Sequence, residues 1–446
     1  MQVNLGSSMS TTLKISLIGA IVLILLVPLL MLGGLMQERV QLREQAYEKV
    51  AGGWGGKVTV GGPMLVIPTQ YQVVENSVAK NHREAVYVLP LQLDVSVAAK
   101  QEREPRYVGI YQVPVFIADF KLTASFDLGA QLPQIAARYP DRTILWQQAT
   151  LRVPVAQLRS LRQLSGARFN DEQLSFSPIS GQTQYTGLET PVSLENGNAQ
   201  GVRNFALQLK LAGSRELSVM PLGSTTQVRI QSDWPHPSFQ GAFLPTQRSI
   251  GPQGFDANWQ VLELNRNYGQ VFAEAELEPG ALLDSSMGVA LHQTIDVYQR
   301  GERAIKYAVL FIALTFLTFF AWEHMSRLCL HPLQYLLVGL ALSIFYLLLI
   351  ALSEHVSFLL AYWSAAAALV ALIGIYLAGA LRARWRGAIA ATAMALIYGI
   401  LYALVLSEDY ALLMGAIVLF AILGAVMIVT RHVDWYSLAS PTDEAA

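Results

Sequence analysis

Apolar residues are unevenly spread along this chain. One unbroken run, Ile15 to Met36 (ISLIGAIVLILLVPLLMLGGLM), stands near the start. A long middle stretch of short, alternating segments follows. Five further unbroken runs crowd the last third: Ala304–Trp322, Leu333–Leu352, Val356–Ala378, Ala388–Leu406 and Ala411–Val429. Each is near the ~20 residues that carry an α-helix across a bilayer. The first run is longer than a signal-peptide core and lacks an Ala-x-Ala exit, so it reads as an uncleaved anchor in which Pro28 gives at most a kink.

Loop charge orients these runs, because short cytoplasmic loops collect Lys and Arg. RARWR (Arg382–Arg386) lies between the fourth and fifth runs, whereas SEH (Ser353–His355) and SEDY (Ser407–Tyr410) on either side carry acids and no Lys or Arg. Alternation then predicts an inside N-terminus over 1–14, an anchor helix over 15–36 and a large outside domain over 37–303. A five-helix bundle over 304–430 and an inside tail over 431–446 complete the expectation. The predicted fold class is a membrane protein with six transmembrane α-helices, one N-terminal and five C-terminal, plus a large antiparallel β-rich, sandwich-like domain.

Inside that domain, ERVQLREQAYEK (Glu38–Lys49) continues the anchor as a polar helix, and GGWGGK (Gly52–Lys57) reads as a hinge. A phosphate-loop reading of GGWGGK fails because Val58 stands where Ser or Thr is needed. Segments such as PMLVIP, AVYVLPLQLDVSV and TQVRIQSDW alternate at period two, the mark of half-buried strands. LPQIAARYP and VAQLRSLRQL read as short helices. DWPHPSFQGAFLP (Asp233–Pro245) follows a strand that Pro235 and Pro237 end, since neither can donate to a ladder. Its Phe239, Phe243 and Leu244 are expected to plug the sheet. Trp234, His236 and Phe239 are therefore candidates for either a packed corner or a binding surface.

Composition narrows the chemistry. Of 446 residues 53% are hydrophobic and 14% charged, which suits a membrane protein. A net charge of −1 with no basic tract argues against nucleic acid. The single cysteine, Cys329, excludes a disulfide scaffold and a cysteine-based zinc site. The seven histidines have no metal-ligand spacing, and SVAK (Ser77–Lys80) lacks the partner motifs of a β-lactam-binding serine. No catalytic set, cofactor or metal is predicted.

SDWPHPSFQGAFLP with GFDANWQV (Gly254–Val261), GPMLVIP (Gly62–Pro68), IDVYQRGERAIKYAVLFIALTFLTFF and His331–Tyr362 together resemble the CreD family. The resemblance runs from the first apolar run to the last. It implies a Gram-negative inner membrane protein of the Cre two-component regulon, with the outside domain periplasmic and roles in envelope stress and colicin tolerance. No catalytic residues come with it.

Two functions follow as expectations. A non-catalytic protein would support envelope integrity through its periplasmic domain, with the lipid bilayer and an envelope or membrane protein as partners. The alternative, a small-solute or lipid transporter or channel, would need a polar path, for example along Ser343, Tyr398 and Tyr402. Ionisable groups gather at run ends instead. On the outer side Glu354, His355, Glu408 and Asp409 face Arg300, Arg303 and Lys306 as candidate contacts that seat the domain or a partner. On the inner side Glu323, His324, Arg327 and His331 form a second candidate contact. Small-residue spacings such as Ala391/Ala395 and Ala421/Ala425 read as helix-packing positions.

Overall fold

The apolar runs become helices. The computed structural model describes residues 11–75, 78–180, 185–194, 201–291, 297–325, 331–380, 383–407 and 411–430. Among them are eight α-helices: α1 (Thr11–Gly53), α2 (Leu128–Arg138), α3 (Ala281–Asp284), α4 (Val297–Met325), α5 (Pro332–Ser353), α6 (Phe358–Ala380), α7 (Arg384–Leu406) and α8 (Ala411–Thr430). Five of these, α1 and α4 to α7, are long and apolar enough to cross a membrane. The sixth expected span, Ala411–Val429, lies on α8, which is not one of these five.

The chain divides into two units, one of Met1–Leu42 with Ile295–Ala446 and one of Arg43–Thr294. In the first, α1 turns a stripe of Ile21, Leu25, Leu29, Leu32 and Met36 into the packing, while Leu23, Ile24, Val27, Leu30 and Met31 lie exposed. That spacing of three and four is one face of a helix. Gly339 on α5 leaves the space that Leu25 and Phe316 fill, and a Cβ there would collide with both. Helices α6 and α7 meet through small residues, with Gly387 against Ala378 and the Gly374 carbonyl, and Ala391 beside Gly374. This is the close approach expected of membrane helices, although Ala395 is exposed and takes no part.

The second unit is β-rich. Its largest sheet has eight strands, in the order Glu172–Gln173, Leu161–Phe169, Val202–Gly213, Phe116–Asp127, Gln92–Gln101, Thr225–Ser232, Gly254–Leu262 and Gln247–Gly251. A seven-stranded sheet is built on the long hairpin Met64–Glu75/Val78–Val88, and a four-stranded sheet joins Val58–Gly61, Glu216–Met220, Met287–Leu291 and Pro237–Gly241. Alternation decides which faces are buried. Phe116, Ala118, Phe120, Leu122, Ala124 and Phe126 point inward from one strand, and their neighbours point out. Inward residues of all three sheets, such as Phe120, Leu65 and Val289, share one hydrophobic core.

Among the described residues pairing is antiparallel with two exceptions: Val58–Gly61 runs parallel to Glu216–Met220, and Gln92–Gln101 to Thr225–Ser232. The expected wholly antiparallel domain is corrected in that respect. The helix expected in VAQLRSLRQL is also corrected. Leu158–Ser160 makes only a short 3-10 turn, closed by Ser160 Oγ on the Gln157 carbonyl at 2.6 Å. Leu161–Phe169 then joins the sheet beside Val202–Gly213. A short apolar run fits either period, and the long neighbouring strand decides it. LPQIAARYP does lie on a helix, α2, capped by the Asp127 side chain on the Ala130 N–H at 3.1 Å.

The GGWGGK stretch is tied down rather than left as a hinge. Ala46 and Val50 in the last turns of α1 pack on Val113 and Val115. The Trp54 ring lies between the Arg106 and Arg162 guanidiniums at 4.2 and 4.8 Å. Gly55 sits at φ +132°, where a Cβ would strike the Ala212 carbonyl. Ser214 N–H and Oγ donate to the Gly56 and Gly55 carbonyls at 3.1 and 2.9 Å.

Candidate functional site

Charged residues that flank the apolar stretches tie α1 to its neighbours. Lys14 near the start of α1 forms an ion pair with Glu323 at the end of α4, whose side chain is only 7% exposed. The Tyr335 hydroxyl of α5 donates to the other Glu323 oxygen at 2.9 Å, and Tyr335 packs edge-on against Phe316. Farther along α1, Arg39 meets Glu354 at the end of α5 at 3.4 Å, with the Glu354 side chain 10% exposed. Lys14 and Arg39 are about 37 Å apart along the helix at 1.5 Å per residue. That separation lies between the ~30 Å hydrocarbon core of a bilayer and its full interfacial thickness.

The candidate contacts take separate places. Glu354 is held by Arg39. Lys306 pairs with Glu302 one helical turn away at 2.9 Å, and the Arg300 guanidinium lies 5.6 Å from the Phe358 ring. Arg303 is half-buried and His355 exposed. Glu408, Asp409 and Arg327 fall outside the described residues, and of His324 only its place in α4 is described. His331 caps α5: its Nδ1 accepts from Leu333 N–H at 3.2 Å while its own N–H donates to Gln334 at 2.9 Å, ahead of Pro332. This reciprocal cap satisfies amides that the helix start leaves open.

In the β-unit, Asp233–Pro245 carries the chain from the eight-stranded sheet to the four-stranded one. Pro237–Gly241 is an edge strand there, which suits a residue that cannot donate. Trp234 is buried, Phe239 is half-buried and edge-on to Phe255 and Trp259 at 5.7 and 5.8 Å, and His236 is exposed. The Phe243 carbonyl accepts from Trp259 Nε1 at 3.1 Å. Leu244 is 68% exposed, so it does not plug the sheet as expected.

A partly buried polar cluster ties the seven-stranded sheet. Arg152 Nε donates to Glu189 at 3.1 Å across paired strands, and Tyr185 and Tyr87 pack nearby with ring centres 6.4 Å apart. Burial pushes both tyrosine hydroxyls above their ordinary value, Tyr185 most strongly. Among the described residues no group of three or more His, Cys, Asp or Glu is placed to hold a metal ion.

Long apolar helices that carry charge at their ends, joined in sequence to a large β-rich unit, define a multi-span membrane protein. The chain belongs to the CreD family: the model of the inner membrane protein CreD matches residues 10–436. It is 34% identical to the inner membrane protein CreD of Escherichia coli (strain K12) over 435 residues, covering 97% of this chain and 95% of that relative.

Sequence reasoning placed Glu323 among loop contacts and missed its two partners. An acid just after one apolar run and a lysine at the head of another were the available signal. Tyr335 gave none, because a tyrosine near a span end also suits the membrane interface.

Proposed function

We propose that the protein is a non-catalytic, multi-pass inner-membrane protein that supports envelope integrity and stress tolerance through its β-rich unit. In this reading α1 and α4 to α8 all cross the bilayer, both termini are cytoplasmic, and the sandwich-like β-unit is periplasmic and meets an envelope or membrane protein. The observation that carries it is the division of labour in the chain. The β-unit has its own extensive core, while the described ion pairs of Lys14 and Arg39 flank the apolar part of α1.

The residues that a solute path would use support the same reading. Tyr362 Oη donates to the Tyr398 carbonyl at 2.6 Å, and the Phe345 ring lies 4.6 Å from that of Tyr398. Ser343 Oγ donates back to the Gly339 carbonyl of its own helix at 3.1 Å. These groups are spent on packing and on local bonds. Cells lacking the gene, supplied with surface variants of the β-unit, should lose protection against colicin or detergent although the protein stays in the membrane. Reconstituted protein that moves protons or a solute, and stops on Glu354→Gln, would replace this reading with the transporter.

A further inference from the structure

The outward face of the eight-stranded sheet holds two depressions, of 560 and 380 Å³, that share Asp94 and Thr123 as a common wall. Together they run from Arg168 on one strand to Gln247 seven strands across. At ~4.8 Å per strand this is a trough about 29 Å long. Strand register sets its floor in rows. Thr123, Asp94, Gln227 and Gln260 face one another across four strands. Lys121, Ser96, Arg229, Asn258 and Gln247 form the next row. Their strand neighbours Val95, Val228 and Trp259 turn into the core, so the floor presents polar side chains.

The charges of this floor largely cancel. Asp256 takes Arg229 at 2.5 Å and Gln231 at 2.5 Å on the same carboxylate. Asp94 accepts from Gln92 at 3.0 Å and offsets one of the two remaining cations, Lys121 and Arg168. What remains is mostly amide and hydroxyl. A polyanion such as nucleic acid needs many uncompensated cations, which this floor lacks. A peptide needs side-chain pockets or a free strand edge, and the trough crosses the strands, reaching an edge strand only at its Gln247 end. A linear polyol needs paired donors and acceptors repeated along a groove, and planar amides supply both.

We propose that this trough binds an extended, uncharged glycan strand lying along these rows, successive sugars meeting the amides and hydroxyls that successive strands contribute. The proposal rests on reading the β-unit as the working part of the protein, and it names the ligand class. With no aromatic platform on the floor, binding relies on hydrogen bonds and is modest in affinity.

Purified full-length protein in detergent, titrated calorimetrically with chitohexaose and with cellohexaose, tests this. At least one should bind saturably. Gln227→Ala with Gln260→Ala should weaken it at least about tenfold. Thr123→Trp, which fills the shared wall without removing an amide, should do the same, and both variants should keep the wild-type melting temperature. No binding of either sugar at millimolar concentration would overturn the proposal. So would binding that the variants leave unchanged, or a preference for a heparin hexasaccharide over both neutral sugars. Because the titration is independent of membrane orientation, the trough can fail while the reading of the β-unit as periplasmic stands.

Discussion

Glu323 pairs with the Lys14 ammonium and accepts from the Tyr335 hydroxyl, and its burial sets what each is worth. Taking one partner from a buried pair strands the other, so Glu323→Gln should cost up to about 3 kcal/mol. Replacing both charges by apolar groups, Lys14→Met with Glu323→Leu, should recover most of that loss. Thermal unfolding of wild type, Lys14→Met, Glu323→Leu and the double variant in detergent completes the cycle, and additive effects would deny the coupling. The corner gives a sharper contrast. Trp234→Ala empties a buried aromatic site and should cost about 3–5 kcal/mol, with Phe239→Ala nearer half of that because its ring is half-buried. His236→Ala, at an exposed position, should stay within about 0.5 kcal/mol. If the His236 change alone impairs envelope protection, the corner is a recognition surface. Tyr185 predicts an alkaline limit. Burial raises its hydroxyl, with Tyr87 adding and Arg152 opposing. Its contribution is complete below the unfolded value near 10 and is lost as pH climbs toward the raised folded value. Urea midpoints should therefore hold to about pH 9 and fall as pH rises beyond about 10, less steeply in Tyr185→Phe.

At the scale of elements, two glycines of one short stretch should answer oppositely. Gly55→Ala must hold φ +132° and push the Ala212 carbonyl aside, a loss of about 2–4 kcal/mol in thermal unfolding. Gly52 lies in the last turn of α1 with open space around its Cβ position, so Gly52→Ala should stabilise by up to about 1 kcal/mol. Equal effects would mean that the joint is loose. This stretch also shows what the sequence could and could not reveal. Its glycines announce a change of direction, but the Arg106 and Arg162 side chains that clamp Trp54 are distant in the chain. The apolar runs were legible as helices because unbroken hydrophobicity is a local signal. Strands such as Phe116–Asp127 were legible through alternation, whereas their order and the two parallel pairings depend on partners that no local pattern encodes. Leu161–Leu164, the start of the strand Leu161–Phe169, was read as part of a helix for that reason. At the candidate site, Glu354 was recognisable as a paired acid, but Arg39 as its partner was not, since only the packing of α1 beside α5 brings the two together.

For the whole molecule, orientation decides whether the β-unit can meet the envelope at all. Two independent features bear on it. Arginines at 384 and 386 stand at the start of α7, while the ends of α5 and α7 run into the acidic SEH and SEDY loops. Short loops rich in arginine stay in the cytoplasm, so positions 384 and 407 should lie on opposite sides of the membrane. The ion pairs at Lys14 and Arg39 bracket the apolar part of α1 at about the spacing of two interfaces, so Arg39 should emerge on the side opposite Lys14. In a Cys329→Ser background, single cysteines at 384 and 407 report the sides directly. A membrane-impermeant maleimide added to intact spheroplasts should label 407 and spare 384, and a cysteine at Ser437 should be spared if α8 makes the sixth crossing. Labelling at 437 with 407 also labelled would remove the sixth span and leave the rest. Labelling at 384 with 407 protected would turn the β-unit toward the cytoplasm, and no envelope ligand could then reach it.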